Sequence, residues 1–242
     1  MPLGDGIIEG LCDKTNNCTT DWGNYTFPRD GGGLGSCRTN SNIKNPGARG
    51  FREFLRDRLV AAGVNMTYVG SVQVVEGLAH EGHYAFTIPD LDYCIQNAEW
   101  LEKAKPDMIL LSAGVLEILF EDPPEVVLEN LRGLLTRIYQ ELPETTEVIV
   151  AQTPTGREDL HILSEPYEPL FAPRWAEFNA AIPGLVGEFR ADGKHVSYVD
   201  MMNTVQSPDE YDEFGLAPNP VAAERMAQIW FEKIMEILTQ QP

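Results

Sequence analysis

Two histidines, His80 and His83, stand three residues apart in the segment HEGH, and their type and spacing raise the question of a metal site. Neutral imidazole is a common ligand of zinc and other transition metals. The segment is predicted to be a loop, however, and it lacks the i, i+4 helical spacing of the zinc proteases. We therefore predict no metal here, and we expect His83 to be a hydrogen-bonding residue at the rim of a pocket.

The first ten residues, MPLGDGIIEG, have the pattern of a short apolar strand that ends in a Gly-Asp turn. In a parallel α/β protein such a turn can present a nucleophilic side chain at the mouth of a pocket. The residue presented here is Gly6, which has no side chain. Asp5 is expected to bond the turn that follows the strand, and it is also a candidate for contacting a ligand.

Two arginines and a group of aromatic residues are candidates for binding a ligand. Arg49 and Arg157 are expected near the carboxyl ends of strands, where a guanidinium could hold a carbonyl or a carboxylate. The alternative is that each is an ordinary surface arginine. Trp22, with Tyr25 and Phe27, could form an aromatic lid over the pocket, or these rings could simply anchor their loop to the body of the protein.

Composition limits the classes of partner. The chain has 242 residues, 43% of them hydrophobic, and 18 Lys and Arg against 37 Asp and Glu give a formal net charge of −19. Such a charge repels phosphate backbones and anionic membranes, so nucleic acid is not an expected partner. The sequence contains no apolar run long enough for a membrane span. A small-molecule ligand is the expected partner, and the oligomeric state stays open.

The cysteines leave the compartment of the protein undecided. Cys12, Cys18 and Cys37 lie in one irregular stretch, whereas Cys94 falls in a predicted helix. A disulfide among the first three is expected, but the spacing does not give its connectivity. The chain also carries N-x-Thr sequons. The protein would be secreted if the sequons and loop cysteines are used, and cytoplasmic otherwise. The sequons start at Asn17, Asn24 and Asn65.

Helices and strands are predicted to alternate after a long irregular loop at residues 11–49. The residue patterns predict helices that begin at Gly50 and in the segments LDYCIQNAEWLEKA, PEVVLENLRGLLTRIYQEL, RWAEFNAAIPGLVGEF and VAAERMAQIWFEKIMEIL. After the opening strand, further strands are predicted in VNMTYVGSV, DMILLSAG, TEVIVAQTP and HVSYVDM. This alternation predicts a single three-layer α/β/α domain over residues 1–242, with a five-stranded parallel sheet of flavodoxin type. Ligands of such folds bind at the carboxyl ends of the strands.

The order of motifs resembles the SGNH hydrolases, also called GDSL esterases and lipases, and is most similar to their carbohydrate-esterase branch. MPLGDGIIEG resembles the opening MPLGDSITEG of that family, and GFREFLRDRL resembles its GYR-led helix. LLSAGVLEI resembles the GTND block, and DEFGLAPNPVAAERMA resembles the closing D-x-x-H-P-N segment and final helix. HEGHYAFTI and VSYVDM are similar to connectors of the family.

The resemblance implies that the hydrolytic residues are replaced. It aligns Gly6 with the nucleophilic serine and Leu116 with the asparagine of the oxyanion hole. It aligns Phe214 with the aspartate and Ala217 with the histidine of the catalytic triad. Only Gly50, whose counterpart donates a backbone N–H to the oxyanion, is retained. Serine-based ester hydrolysis is therefore not expected, and these five positions are expected to line an altered pocket.

Three functions are compatible with a pocket changed in this way. The pocket could serve non-hydrolytic catalysis, such as cyclisation, isomerisation or elimination of a small, largely apolar molecule, without a cofactor. It could instead bind a glycan or an acylated ligand in a pseudoenzyme, or be vestigial in a protein that supports a partner. For the first function the candidate acid or base is Glu117, whose pKa would rise in an apolar pocket. Alternatively, Glu117 accepts backbone N–H bonds within its own turn.

Overall fold

The computed structural model of the chain describes residues 1–5, 37, 49–73, 75–83, 86–120, 122–154, 171–211 and 217–240. Five parallel strands form its sheet in the order β2-β1-β3-β4-β5. They are β1 (Pro2–Gly4), β2 (Glu81–Gly82), β3 (Met108–Ser112), β4 (Glu147–Ala151) and β5 (Val196–Val199). The predicted five-stranded parallel sheet is confirmed.

Helices cover both faces of this sheet. On one face α1 packs against α7, and on the other α5 packs against both α2 and α6. The longer helices are α1 (Gly50–Ala61), α2 (Ile88–Ala98), α5 (Pro124–Glu141), α6 (Phe171–Ala191) and α7 (Pro220–Gln240), and the shorter ones are α3 (Trp100–Ala104) and α4 (Val115–Leu119). None of the described helices is both long and apolar enough to cross a membrane.

Apolar periodicity explains why these elements form the core. Phe51, Leu55 and Leu59 lie along one face of α1, as their spacing predicts, and all three are buried. Strands β3 and β4 are continuous apolar runs because helices cover both of their faces. The chain passes from β1 to β2 on one side and then to β3 on the other, so the strand order reverses beside β1.

The second strand does not lie where its β-branched residues predicted it. The segment 64–72 forms no strand, apart from an isolated antiparallel bridge between Val72 and His80, and β2 lies at 81–82 instead. The physical reason lies at Tyr68, which connects this segment to helix α1 instead of to a neighbouring strand. Tyr68 is buried, and its hydroxyl donates to the carbonyl of Arg52 in α1.

Two further differences concern helices. The helix predicted over 91–104 is divided into α2 and α3, because Glu99 between them has a left-handed backbone with φ of 57°. Helix α2 begins earlier than predicted, with a capping box in which Thr87 and Asp90 exchange hydrogen bonds. Helix α4 was not predicted, whereas α6 continues through Pro183.

A disulfide joins two cysteines that the sequence analysis did not expect to pair. Cys37 is bonded to Cys94 in α2, across 57 positions of sequence. The expectation of a disulfide among Cys12, Cys18 and Cys37 is therefore wrong for Cys37, while Cys12 and Cys18 lie outside the described residues. The bond attaches residue 37, in the long segment between β1 and α1, to the helical layer. Disulfides of this kind persist in oxidising compartments.

Candidate functional site

The carboxyl ends of β1 and β3 are joined by hydrogen bonds around Asp5. The backbone N–H of Asp5 donates to the carbonyl of Ser112, and the N–H of Val115 donates to Asp5 Oδ2 at 3.4 Å. The side chain of Asp5 is buried. Asp5 therefore connects the end of β1 with the end of β3 and the first residue of α4, whereas the turn that it was expected to bond lies outside the described residues.

Glu117 occupies the middle of α4 and is buried, with 2% of its surface exposed. Its Oε1 accepts the N–H of Ile88, the first residue of α2, at 2.5 Å. A carboxyl group at a helix N-terminus is well placed to satisfy one of the free N–H groups there. Its other oxygen, Oε2, is buried and has no hydrogen-bond partner within the described part of the chain. Glu117 thus joins two helices through one oxygen and leaves the other uncommitted.

The environment of Glu117 favours its protonated form. Burial raises its pKa to about 8, and the negative charges of Asp5 and Asp122 add to the rise. Hydrogen bonds from backbone N–H groups, chiefly that of Ile88, oppose the rise. A carboxyl group with such a pKa is mainly protonated near pH 7, so it has a proton to donate.

A second buried pair lies where β2 ends beside β1. His83 Nε2 and Glu81 Oε2 are 2.9 Å apart, and each side chain is 1% exposed. The backbone N–H of His83 donates to the carbonyl of Gly4 at 2.9 Å, so the imidazole belongs to the same edge of the sheet as Asp5. The expected position of His83 at a pocket rim is wrong, because its ring is buried between Phe86 and Trp100.

His80 differs from His83 although it belongs to the same HEGH segment. Its Nδ1 accepts the N–H of Gly82 at 2.9 Å. Burial, with a further contribution from the positive charge of Arg52, lowers the pKa of His80 to about 2, so the ring is neutral. His80 therefore has a local structural role, because its ring accepts a hydrogen bond from the backbone of β2.

The remaining described candidates have ordinary environments. Arg49 is exposed and pairs with Glu53 on α1, as a surface arginine does. Gly50 is the first residue of α1, in a backbone conformation with φ of 50°. Leu116 is buried within the core cluster, and Ala217 is buried just before α7.

Four candidates, Gly6, Trp22, Arg157 and Phe214, lie outside the described residues. The convergence of Gly6, Gly50, Leu116 and Ala217 on one pocket therefore stays a prediction. What the structure does bring together is Asp5, the start of α4 with Glu117, and the end of β2 with His83.

Glu81 is the residue that sequence reasoning missed. Successive side chains of a strand point to opposite faces, so residues two apart share a face. That alternation would have paired Glu81 with His83 if HEGH had been interpreted as a strand instead of a loop.

No protein-family model and no curated protein matches this sequence. Solved structures match along almost the whole chain. The family 3 carbohydrate esterase of Clostridium thermocellum is 22% identical, with a TM-score of 0.70 over 99% of this chain and 96% of its own. A family 3 carbohydrate esterase from Talaromyces cellulolyticus is 18% identical, with a TM-score of 0.68 over 100% and 98%.

A lipase/acylhydrolase from Enterococcus faecalis is 14% identical, with a TM-score of 0.63 over 97% of this chain and 94% of its own. At these identities the likeness concerns the fold. The chain has the three-layer α/β fold of the SGNH hydrolases, as its motifs predicted. The esterase and lipase activities in the names of these three proteins describe those proteins and not this chain.

Proposed function

We propose that this protein does not hydrolyse esters and that it rearranges a small, largely apolar molecule by acid–base chemistry. The reaction class is cyclisation, isomerisation or elimination, none of which requires a nucleophile at position 6. The observation that carries the proposal is Glu117, a buried carboxyl group at the carboxyl edge of the sheet whose Oε2 has no partner among the described residues.

The loss of hydrolysis follows from the residue types at the aligned positions. Removing a serine triad leaves roughly 10³- to 10⁴-fold catalysis over water. Removing one donor of the oxyanion hole takes away roughly another 10²- to 10³-fold. With glycine at position 6 there is no hydroxyl to form an acyl-enzyme, so no other base can restore the reaction.

The replacements also share a chemical character. Gly6, Leu116, Phe214 and Ala217 are all apolar where the family motif has polar residues. Removing a single member of a buried polar network leaves its partners unsatisfied, at about 1–3 kcal/mol each. Removing all four avoids that penalty and favours an apolar ligand oriented by a few polar groups.

Glu117 supports acid–base chemistry because its environment keeps a proton available. Its pKa of about 8 lets the carboxyl group donate near neutral pH and accept at slightly higher pH. Its Oε2 has no partner within the described residues and so is free to contact a ligand, while Oε1 holds the side chain in place through Ile88.

A binding protein without turnover is the second candidate, and a specific observation favours it. Glu117 is almost fully buried, and one of its oxygens is already bonded to the N-terminus of α2. If that structural bond is its whole role, the cleft would bind a glycan or an acylated ligand without changing it.

Two assays test the proposal. An activated acetyl ester should be hydrolysed at the buffer rate by the wild type and by Gly6→Ser, and a fluorophosphonate should not label the wild type. The non-hydrolytic probe is 5-nitrobenzisoxazole, whose ring opens after loss of one C–H proton. The wild type should accelerate this elimination, and Glu117→Gln should lower kcat while leaving KM nearly unchanged.

The outcomes separate the two candidates. Robust labelling by the fluorophosphonate would contradict the loss of hydrolysis. Ring opening at the buffer rate, together with saturable binding of an acetylated oligosaccharide whose mass stays unchanged, would replace catalysis with binding.

A further inference from the structure

Glu81 and His83 form a buried carboxylate–imidazole pair that takes no part in the proposed role of Glu117. Glu81 accepts hydrogen bonds from the N–H and the hydroxyl of Ser71 as well as facing His83 Nε2. The Ser71 N–H donates to Oε1, and the Ser71 hydroxyl donates to Oε2, the oxygen that also faces His83 Nε2, so both oxygens of Glu81 act as acceptors. The proton between Glu81 and His83 is therefore assigned to Nε2, and in the neutral ring Nδ1 carries the lone pair.

The ring of His83 is held in one orientation. It stacks on Trp100 with centroids 4.4 Å apart and planes at 4°, and Phe86 lies on it at 4.8 Å and 24°. With the Glu81 hydrogen bond added, the ring has little freedom to flip. The direction of Nδ1 is therefore determined by three neighbours of the ring.

His83 Nδ1 is buried and has no hydrogen-bond partner among the described residues. Folded proteins rarely leave a buried acceptor without a donor, and each such atom needs an explanation. His80 provides the contrast, since its Nδ1 accepts a backbone N–H. The backbone N–H of His83, just after β2, donates to the carbonyl of Gly4, so the unpaired nitrogen belongs to a residue hydrogen-bonded to the end of β1.

We propose that His83 Nδ1 is the general base of the carboxyl-edge site and that Glu81 is its positioning residue. The substrate class is a small, uncharged and largely apolar molecule that bears an acidic C–H or O–H. This inference rests on the proposed function, because it assigns the base for the same non-hydrolytic chemistry.

The step balances within one substrate molecule. Nδ1 takes a proton from a C–H or O–H bond, and the electron pair of that bond forms a new π bond or ring bond. In an isomerisation His83 returns the proton to another atom of the same molecule. In an elimination the bond to the leaving atom breaks and its own electron pair departs with that atom, and His83 then passes the proton to that atom or to solvent. The imidazolium formed in between is stabilised by the carboxylate of Glu81 at 2.9 Å.

The test follows the ring opening of 5-nitrobenzisoxazole by full-chain variants of the protein. Proton abstraction by Nδ1 from C3 forms the nitrile as the N–O bond breaks, and the phenolate oxygen leaves with the electron pair. His83→Gln should lower kcat by about 100-fold or more, the usual contribution of a positioned base. Glu81→Gln should lower kcat by a smaller factor with KM unchanged. His195→Gln, a change at an exposed histidine, should have no effect.

Two further measurements guard against a variant that merely folds poorly. Imidazole added to His83→Ala should restore ring opening, which it would not do if the role of His83 were only structural. In ¹⁵N-histidine spectra of the wild type, Nε2 should carry the proton, and 6-nitrobenzotriazole should shift the Nδ1 resonance of His83.

Each outcome decides between the claims. Ring opening by the wild type that persists in His83→Gln would overturn the role of His83 and leave the proposed function standing. Absence of ring opening in the wild type would overturn both. A proton on Nδ1, or saturating 6-nitrobenzotriazole that leaves Nδ1 unchanged, would also overturn the base assignment.

Discussion

The two edges of the central sheet offer opposite kinds of site. The amino edge borders a cavity of about 440 Å³ that is lined by apolar residues such as Leu59 and Leu238 and also by the charged Lys105 and Asp107. The carboxyl edge holds buried polar atoms that have no partner among the described residues, His83 Nδ1 and Glu117 Oε2. Buried polar atoms without a partner can orient a ligand through hydrogen bonds that water does not already satisfy. For this reason the chemistry proposed above is expected at the carboxyl edge.

The largest effect expected from this comparison is the pH dependence that Glu117 imposes on stability. Its folded pKa of about 8 lies above the ordinary value of 4.5, so the folded state binds the proton more tightly than the unfolded state. The stabilisation of the folded state that results from this pKa difference is fully present below pH 4.5 and is lost as the pH rises through 8. We expect a loss of about 4 kcal/mol between about pH 5 and about pH 9.

Glu117→Gln keeps an oxygen for the N–H of Ile88 and removes the titrating group. Chemical denaturation across this pH range should show the loss in the wild type and not in the variant. Taking the difference between the two curves removes the contributions of other titrating groups. Parallel curves would show that Glu117 has an ordinary pKa and would remove it as a candidate acid.

The next effect concerns the disulfide that attaches residue 37, in the segment following β1, to α2. In the chain-entropy description, closing a loop of 57 positions stabilises the folded state by about 4 kcal/mol. The double substitution Cys37→Ser with Cys94→Ser should lower the free energy of unfolding by that amount. Equal stability of the double variant and the wild type in denaturant would contradict a closed Cys37–Cys94 bond.

The smallest effect is expected at the amino edge. Leu238 lines the cavity there and is 38% exposed, so Leu238→Ala should lower the free energy of unfolding by less than about 1 kcal/mol. It should leave the ring opening of 5-nitrobenzisoxazole unchanged. A large fall in kcat or a rise in KM for this variant would move the site to the amino edge and reverse the comparison.

Local pattern was sufficient for much of the fold. The apolar stripe of α1 was predicted because apolar residues recur at helical spacing along one face. The strands β3 and β4 were predicted because a strand buried on both faces is a short continuous apolar run. Pattern failed at 64–72, where Tyr68 is hydrogen-bonded to Arg52 of α1 and the segment forms no strand. Pairing depends on a partner distant in sequence, which a local window does not contain.

For the candidate site the division is similar. The sequence by itself determined that position 6 carries no hydroxyl, because residue identity alone decides whether an acyl-enzyme can form. Only the tertiary structure decided that Glu117 meets the N-terminus of α2 and that Cys37 meets Cys94. The tertiary structure also shows that the His83 ring is buried between Phe86 and Trp100 and that its Nδ1 has no hydrogen-bond partner among the described residues. Burial and partner choice depend on the packing of the whole chain, and they determine which titratable groups remain available for chemistry.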